Sequence, residues 1–441
     1  MQKRKLFSAI LASLMAGTIA MTGCSSENTT SSAGTNTGSA SSGEKTQVDY
    51  VFWGNQTEIN TIMNTIDMFN KSQDKVEVKG TGMDSSVYFQ KLNAYISSKT
   101  MPDIVQVAAD YGDIYNAKGV FMPLDDLIDG KGFRDQVSDS LWSSLSYENQ
   151  VYAVPIVASA PILIGNKQLF EEAGIEFPTD SWTEEEFKDA AIKMTNADKG
   201  QYGVIFAGAI KEWPRAIYGN GEYEVYNYAD GTMNATNPGY EHILDLLVNQ
   251  IMLENKAAPA ILNAKDIGGG FETGKYGMVM AGFWDIAEFH KVIQDSFEWD
   301  LLPMPTSEEY GQWRTPIYAN ALSLSKDTKK SDAAFEYLNW IATDEEAQMN
   351  SVFLPINNTV TSKEDFLTSF PEGSKQYNKQ LALDALNNGV SWQNTGVIAE
   401  INDNVINPSL EKLILKPDET TLEDTLNTIQ EEGQKVFDTS K

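Results

Sequence analysis

Residues 48–69 read VDYVFWGNQTEINTIMNTIDMF, and this stretch decides the fold. Val48 to Trp53 is a β-branched and aromatic run that reads as a strand. Gly54-Asn55-Gln56 supplies a turn, and Ile59, Ile62, Met63, Ile66 and Phe69 then recur at helical spacing, which buries one face of a helix. Val76-Glu77-Val78 alternates as a short strand. Ser85 or Ser86 can cap a second helix carrying Val87, Leu92, Tyr95 and Ile96, and Ile104 to Val107 is another short buried strand. A β-α-β-α-β order implies a largely parallel sheet with helices on both faces. Ligand sites in such sheets lie beyond the carboxyl ends of the strands. Those ends are Trp53 to Gln56, Gly80 to Asp84, and Ala108 to Tyr111.

A second β/α body starts after Val151-Tyr152-Ala153-Val154-Pro155. Ile162 to Ile164 reads as a strand and Lys167 to Ala173 as a helix. Thr183-Glu184-Glu185-Glu186 is a capping box opening a helix to about Thr195. Further strands are expected at Tyr202 to Phe206 and Tyr276 to Met280. Helices are expected near Tyr240 to Leu253, Ser331 to Ile341, Gln376 to Leu386 and Leu422 to Val436. No internal repeat is visible.

The N-terminal flank carries a different message. Lys3, Arg4 and Lys5 precede a stretch from Leu6 to Ala20 of apolar and small residues, too short to span a bilayer comfortably. It ends in Met21-Thr22-Gly23-Cys24, which resembles the lipobox of bacterial lipoproteins, with Met21 where Leu is most common. The resemblance implies removal of residues 1–23, acylation (palmitate among the chains) at Cys24, and an anchor at the extracytoplasmic face of the cell membrane. The alternative is an ordinary secretory signal with a chance cysteine. Residues 24–46 contain only small and polar side chains after Cys24, so they are expected to form a flexible tether.

Composition narrows the function. The formal charge is -29, and it becomes more negative once the basic n-region is removed. Such a body repels nucleic acid and anionic lipid surfaces. Cys24 is the sole cysteine, so disulfides and cysteine-based zinc sites are excluded. Two histidines, His242 and His290, lie in helical patterns that suit packing or solvent better than metal. No cofactor motif is present: there is no P-loop, no Gly-x-Ser-x-Gly elbow and no His-Glu-x-x-His.

Six segments then stand in a telling order. They are Gly119 to Asp125 (GVFMPLD), Tyr152 to Pro155 (YAVP), Asn166 to Ile175 (NKQLFEEAGI), Pro178 with Ser181 to Phe187 (SWTEEEF), Gly274 to Met278 with Gly282-Phe283-Trp284, and Leu302 to Pro305 (LPMP). Together they resemble the extracellular solute-binding proteins of carbohydrate ABC importers, the maltose-binding-protein-like group, over residues 47 to 440. Gly165 stands where a Tyr commonly precedes the Asn-Lys pair, and Gly277 where Ala is usual.

The resemblance implies an α/β, two-lobed periplasmic-binding-protein-like fold of type II. Each lobe is expected to be a mostly parallel sheet flanked by helices, with the ligand in the cleft between them. Chain crossings are expected near Pro155 to Ser159, Met304 to Ser307 and Asp344 to Val352. The N-lobe would comprise 47–156 and 306–345, and the C-lobe 157–305 and 346–441. The implied function is capture of a neutral sugar or oligosaccharide by a monomer and its delivery to importer permease subunits, without catalysis. Alternatives are a polyamine-type cation receptor, because aromatics and carboxylates suit a cation as well, and an exported glycoside-active enzyme.

Sugars present C–H faces that stack on aromatic rings and hydroxyls that want amides and carboxylates. On the N-lobe the candidates are Trp53, Asn55, Gln56, Glu58, Asp84, Asp110 and Tyr111; on the C-lobe, Trp213, Arg215, Trp284, Asp285 and Trp392. Trp284 matches the family's cleft Trp by position. Trp53 has an alternative place in the core, and Asp84 and Asp110 have an alternative role as helix caps. Trp182 and Trp340 are expected to pack.

Overall fold

The structure is a computed structural model. It describes residues 45–206, 209–218, 222–227, 230–260, 270–350, 354–368, 376–391 and 396–440. Cys24, the leader and most of the expected tether therefore lie outside the described residues. No described helix is long and apolar enough to cross a membrane.

The quoted stretch forms β1 (Thr46–Trp53) and α1 (Gln56–Ser72), followed by β2 (Val76–Met83), α2 (Ser85–Ser98), β3 (Ile104–Ala108) and α3 (Ala109–Asn116). β1 pairs in parallel with both β2 and β3. Because the order β3-β1-β2 reverses the direction of travel, right-handed crossovers put α1 and α2 on opposite faces. Val48, Tyr50 and Phe52 alternate onto the α1 face, and Val51 is buried on the other, as a doubly covered strand requires.

The sheet is completed from distant sequence. β4 (Val154–Ser159) and β9 (Pro316–Leu324) lie antiparallel to each other, β9 is also antiparallel to β3, and the short β10 (Val390–Ser391) is parallel to β9. The first sheet thus has six strands, with β9 in its interior. Helix α5 (Ser331–Thr343) packs on the α1 face: Phe69 of α1 meets Tyr337 at 5.1 Å and Trp340 at 5.4 Å between ring centroids.

The second sheet has the order β8-β5-β7-β6, from β5 (Pro161–Asn166), β6 (Tyr202–Ile205), β7 (Tyr276–Gly282) and β8 (Trp299–Leu302). Here the expectation of a mostly parallel sheet is corrected. Only β7 and β6 run parallel; β5 is antiparallel to both of its neighbours. The reason is local: Ala160 alone separates β4 from β5, so the direction of β5 is set by its exit from the first sheet rather than by a helical crossover. Helix α4 (Glu184–Met194), opened by the expected Thr183–Glu186 capping box, covers one face of this sheet. It lies so close that a Cβ on Gly203 of β6 would sit 1.8 Å from the Ala191 carbonyl oxygen.

The crossings explain how one chain serves both sheets. The first falls at Ala160, beside the expected Pro155 to Ser159. The second falls later than Met304 to Ser307. Trp182 Nε1 donates to the Pro303 carbonyl at 2.7 Å, the Thr306 amide donates to the Trp182 carbonyl at 3.0 Å, and Trp313 is buried in the second core. The chain is therefore held to the second body until it enters the first sheet at Pro316. At the expected third crossing, Asp344 to Val352, the chain runs through α6 (Glu345–Met349) and at Leu354 is still on the first sheet, bridging Ala158 of β4.

Candidate functional site

Four neighbouring strands bring Tyr50, Gln106, Asn320 and Val157 to the floor of one pocket. One wall is the α1 face Glu58, Thr61, Ile62 and Thr65, spaced as one helical stripe. The opposite wall is Ile341 of α5 with Ala347, Gln348 and Asn350 at α6. Trp53, at the carboxyl end of β1, stands at the rim where the α/β rule places ligands. Its ring is half-buried against Tyr88 at 4.9 Å and Phe89 at 5.6 Å.

Glu58 is divided between two tasks. Its carboxylate accepts from the Asn55 amide at 2.7 Å, and its own amide donates to the Asn55 side-chain oxygen at 3.0 Å. This reciprocal pair starts α1, so Asn55 is a cap and Glu58 a cap that also lines the pocket. Among the lining residues Glu58 alone carries a formal charge.

Trp284 stands on the turn after β7. The Gly282 amide donates to the Asp285 carboxylate at 3.0 Å and closes that turn; burial raises the Asp285 pKa. A Cβ on Gly282 would lie 1.9 Å from the Trp284 indole, so only glycine lets the ring fold back over the strand end. The ring is 40% exposed and meets Tyr318 of β9 edge to face, 5.5 Å between centroids and 82° between planes. An aromatic of the second sheet thus touches one of the first. Tyr318 and Asn320 are two apart on β9 and share a face, so the aromatic pair and the pocket lie along one strand face.

The remaining expected residues fall elsewhere. Gln56 is exposed and donates to the Asn60 side chain at 3.0 Å. Asp84 is the cap of α2: its carboxylate accepts from the Ser86 hydroxyl at 2.5 Å and the Ser86 amide at 2.9 Å, and these bonds hold its pKa below the usual carboxylate range. Asp110 and Tyr111 open α3 directly after β3, and their side chains lie outside the described residues. Trp213 and Arg215 are buried, Trp213 in the second core. Trp392 lies outside the described residues. The structure therefore brings Trp53, Glu58 and Trp284 to the strand ends and spends Trp213 on packing. No described group of three or more His, Cys, Asp or Glu could hold a metal ion.

Two polar clusters leave no local signal in the sequence. Gln348, at the foot of the pocket, donates to the Ile156 carbonyl at 3.2 Å and the Ile341 carbonyl at 2.6 Å. Its oxygen accepts from the amides of Ile356 at 2.9 Å and Asn357 at 3.4 Å. It ties the crossing strand, the end of α5 and the returning chain together. In the second body, Glu184 accepts from Trp313 Nε1 at 2.5 Å, from the Tyr218 hydroxyl and from His242 Nε2, 2.8 Å away. Burial works to raise the Glu184 pKa, but the His242, Trp313 and Tyr218 donors together hold it below the ordinary value; the Glu184 bond in turn raises His242. Only Tyr318 and Asn320 left a trace in the sequence, as period-2 interruptions of the run PIYANALSL.

The chain resembles known proteins over most of its length. The profile of the family described as bacterial extracellular solute-binding protein matches residues 53–348. A putative binding protein of Brucella abortus is 24% identical over 282 residues, covering 62% of this chain and 66% of the relative, just under two thirds of its length. The sugar-binding protein MalE of Xanthomonas citri superposes with a TM-score of 0.77 at 14% identity, over 90% of this chain and 98% of that one. The cyclic alpha-maltosyl-1,6-maltose binding protein of Arthrobacter globiformis gives 0.75 at 20% identity, over 90% and 100%. At these identities the structural likeness establishes the two-lobed fold.

Proposed function

The chain belongs to the bacterial extracellular solute-binding proteins, and on that premise we propose that it captures a neutral sugar or short oligosaccharide and hands it to the permease of an ABC importer. The observation that carries the reading is the chemistry of the strand ends. Part-exposed Trp53 lines a pocket of amides, hydroxyls and apolar groups in which Glu58 is the only formal charge, and part-exposed Trp284 meets Tyr318, two residues along β9 from the lining Asn320. Rings and neutral hydrogen-bonding groups suit a polyhydroxy ligand. A polyamine would need several desolvated carboxylates, and Glu58 already serves α1.

In this reading the ligand stacks on Trp284, its hydroxyls reach the Glu58 and Asn320 side, and the two bodies close about the connecting segments as ligand shifts the population toward the closed state. The N-lobe is then the first sheet, β1 to β4 with β9 and β10, and the helices packed on it, and the C-lobe is built on the second sheet. The protein is a monomeric receptor and not a catalyst, held at the outer face of the cell membrane through lipidated Cys24. Calorimetric titration with maltose, D-tagatose and D-mannitol tests it: at least one binds the intact protein, and Trp284→Ala weakens that binding by about ten- to a hundredfold. Absence of binding by all saccharides tried, with binding of spermidine, sinks the sugar reading.

A further inference from the structure

A part-exposed indole serves a ligand best when its ring is already held in the binding pose, because ordering a side chain on binding costs affinity. The turn that carries Trp284 supplies half of that support. The three indole atoms nearest to a Cβ built on Gly282 are neighbours in the ring, at 1.9, 2.1 and 2.2 Å. Gly282 therefore lies over one face of the indole. It stops the ring from tipping toward β7 and does nothing against rotation away from it.

The second support comes from the other sheet. The Phe283 amide donates to the Ala160 carbonyl at 3.2 Å, which ties the same turn to the single residue between β4 and β5. One residue earlier, Ser159 stands in register with Tyr318 of β9. The Tyr318 ring then meets the indole, 5.5 Å between centroids and 82° between planes. These links close a small circuit across the first crossing, with Tyr318 on one sheet and Trp284 at the end of the other. Tyr318 is not spent on the core of its own sheet. Tyr318 and Asn320 are the two half-buried positions of β9, whose other residues are buried, and Tyr318 belongs to neither hydrophobic core. Its register partner Ser159 is small. The perpendicular contact still leaves Trp284 40% exposed, so the indole is braced without being covered.

We propose that Tyr318 is a positioning residue: from the first sheet it braces the Trp284 indole, already backed by Gly282, in the pose that stacks on a saccharide C–H face. This deepens the proposed function and rests on it. Tyr318 acts through the indole and not by touching the ligand. A perpendicular aromatic pair and the rotamer freedom it removes each correspond to about two- to tenfold in affinity. A phenylalanine keeps the ring and the brace; a leucine keeps apolar bulk and loses both.

The test is a double-mutant cycle on the intact protein. Affinity for the tightest binder among maltose, D-tagatose and D-mannitol is measured by calorimetric titration for the parent, Tyr318→Phe, Tyr318→Leu, Trp284→Ala and the Trp284→Ala/Tyr318→Leu pair. The melting temperature of each protein without ligand is measured alongside, and thermal shift at high saccharide concentration reads any variant too weak for calorimetry. Tyr318→Leu is expected to weaken binding about five- to tenfold, Tyr318→Phe less than about twofold, and Tyr318→Leu to add less than about twofold once Trp284 is alanine. Tyr318→Met replaces the leucine variant if that one does not fold. Equal weakening by Tyr318→Leu in both backgrounds overturns the proposal, since Tyr318 would then act on the ligand or on the fold directly. Unchanged or tighter binding by Tyr318→Leu overturns it as well, and both results leave the receptor reading in place. Failure of the parent to bind any of the three saccharides overturns both.

Discussion

Two glutamines, each 2% exposed, line the same pocket and are treated by the fold in opposite ways. Gln348 makes four hydrogen bonds and joins three chain segments. Gln106 has a side-chain oxygen with no partner. The contrast teaches how to divide buried polar groups between those that fix geometry and those that cost stability. A fully satisfied amide fixes geometry, here the register of the crossing strand Val154–Ser159 against the returning chain at Ile356. An unsatisfied one is a cost that the folded state carries. The same division separates the Glu184 cluster, which accepts three hydrogen bonds, from Tyr50, which makes none through its hydroxyl.

The largest effects are expected where buried polar groups are fully paired. Gln348→Ala strands two buried carbonyls and two buried amides, and chemical denaturation is expected to show a loss of about 3–5 kcal/mol. A loss below about 1 kcal/mol would mean that the knot is ornamental. Glu184→Gln removes the charge that three donors face, and a loss of about 2–4 kcal/mol is expected, reduced on the His242 side because that ring is partly exposed.

That second effect has a pH signature. The Glu184 pKa is lowered by folding, so its contribution is present above the ordinary carboxylate value and disappears as pH falls through the folded value. The His242 pKa is raised, so its contribution is complete below the ordinary imidazole value and disappears as pH rises through the folded one. The stability difference between the parent protein and Glu184→Gln should therefore peak between those two ordinary values and shrink on either side. A difference that is flat across pH 4 to 9 would show that the pair is not ionic.

On the functional side the effects are smaller and fall on binding. Trp284→Ala should weaken saccharide affinity by about 1.4–2.8 kcal/mol with little change in melting temperature, because the ring is 40% exposed. Smallest of all is Asp84→Ala. The exposed cap loses its Ser86 bonds, stability falls slightly, and affinity stays the same. A clear loss of affinity in that variant would return Asp84 to the ligand site.

Much of this was legible in the sequence where signals are local. The run from Val48 to Phe69 announced its strand and helix, and Thr183 with Glu186 announced the start of α4, because periodicity and capping depend on near neighbours. The Gly282-Phe283-Trp284 motif placed its indole at a strand end, for a steric reason visible only when the ring is seen against Gly282. Strand β9 was not foreseen. Its Ala, Asn and Ser content has weak strand preference, and its place inside the first sheet comes from pairing with β3 and β4, far away in sequence. The direction of β5 was misjudged for a related reason, since a one-residue crossing outweighs the parallel pattern of a β/α unit. Trp213 was indistinguishable from a cleft residue by type and loop position, and only its packing in the second core shows where it is spent. Tyr50 and Gln106 looked like ordinary strand residues; their missing partners are a property of the assembled core.

The most direct test of the account is a thermal-shift comparison of the intact protein and Trp284→Ala against saccharides and polyamines, since a ligand that binds only the folded state raises the melting temperature with its excess over the dissociation constant. A rise with at least one saccharide is expected, sharply reduced in Trp284→Ala, and none with spermidine or putrescine. A rise with polyamines alone would contradict it.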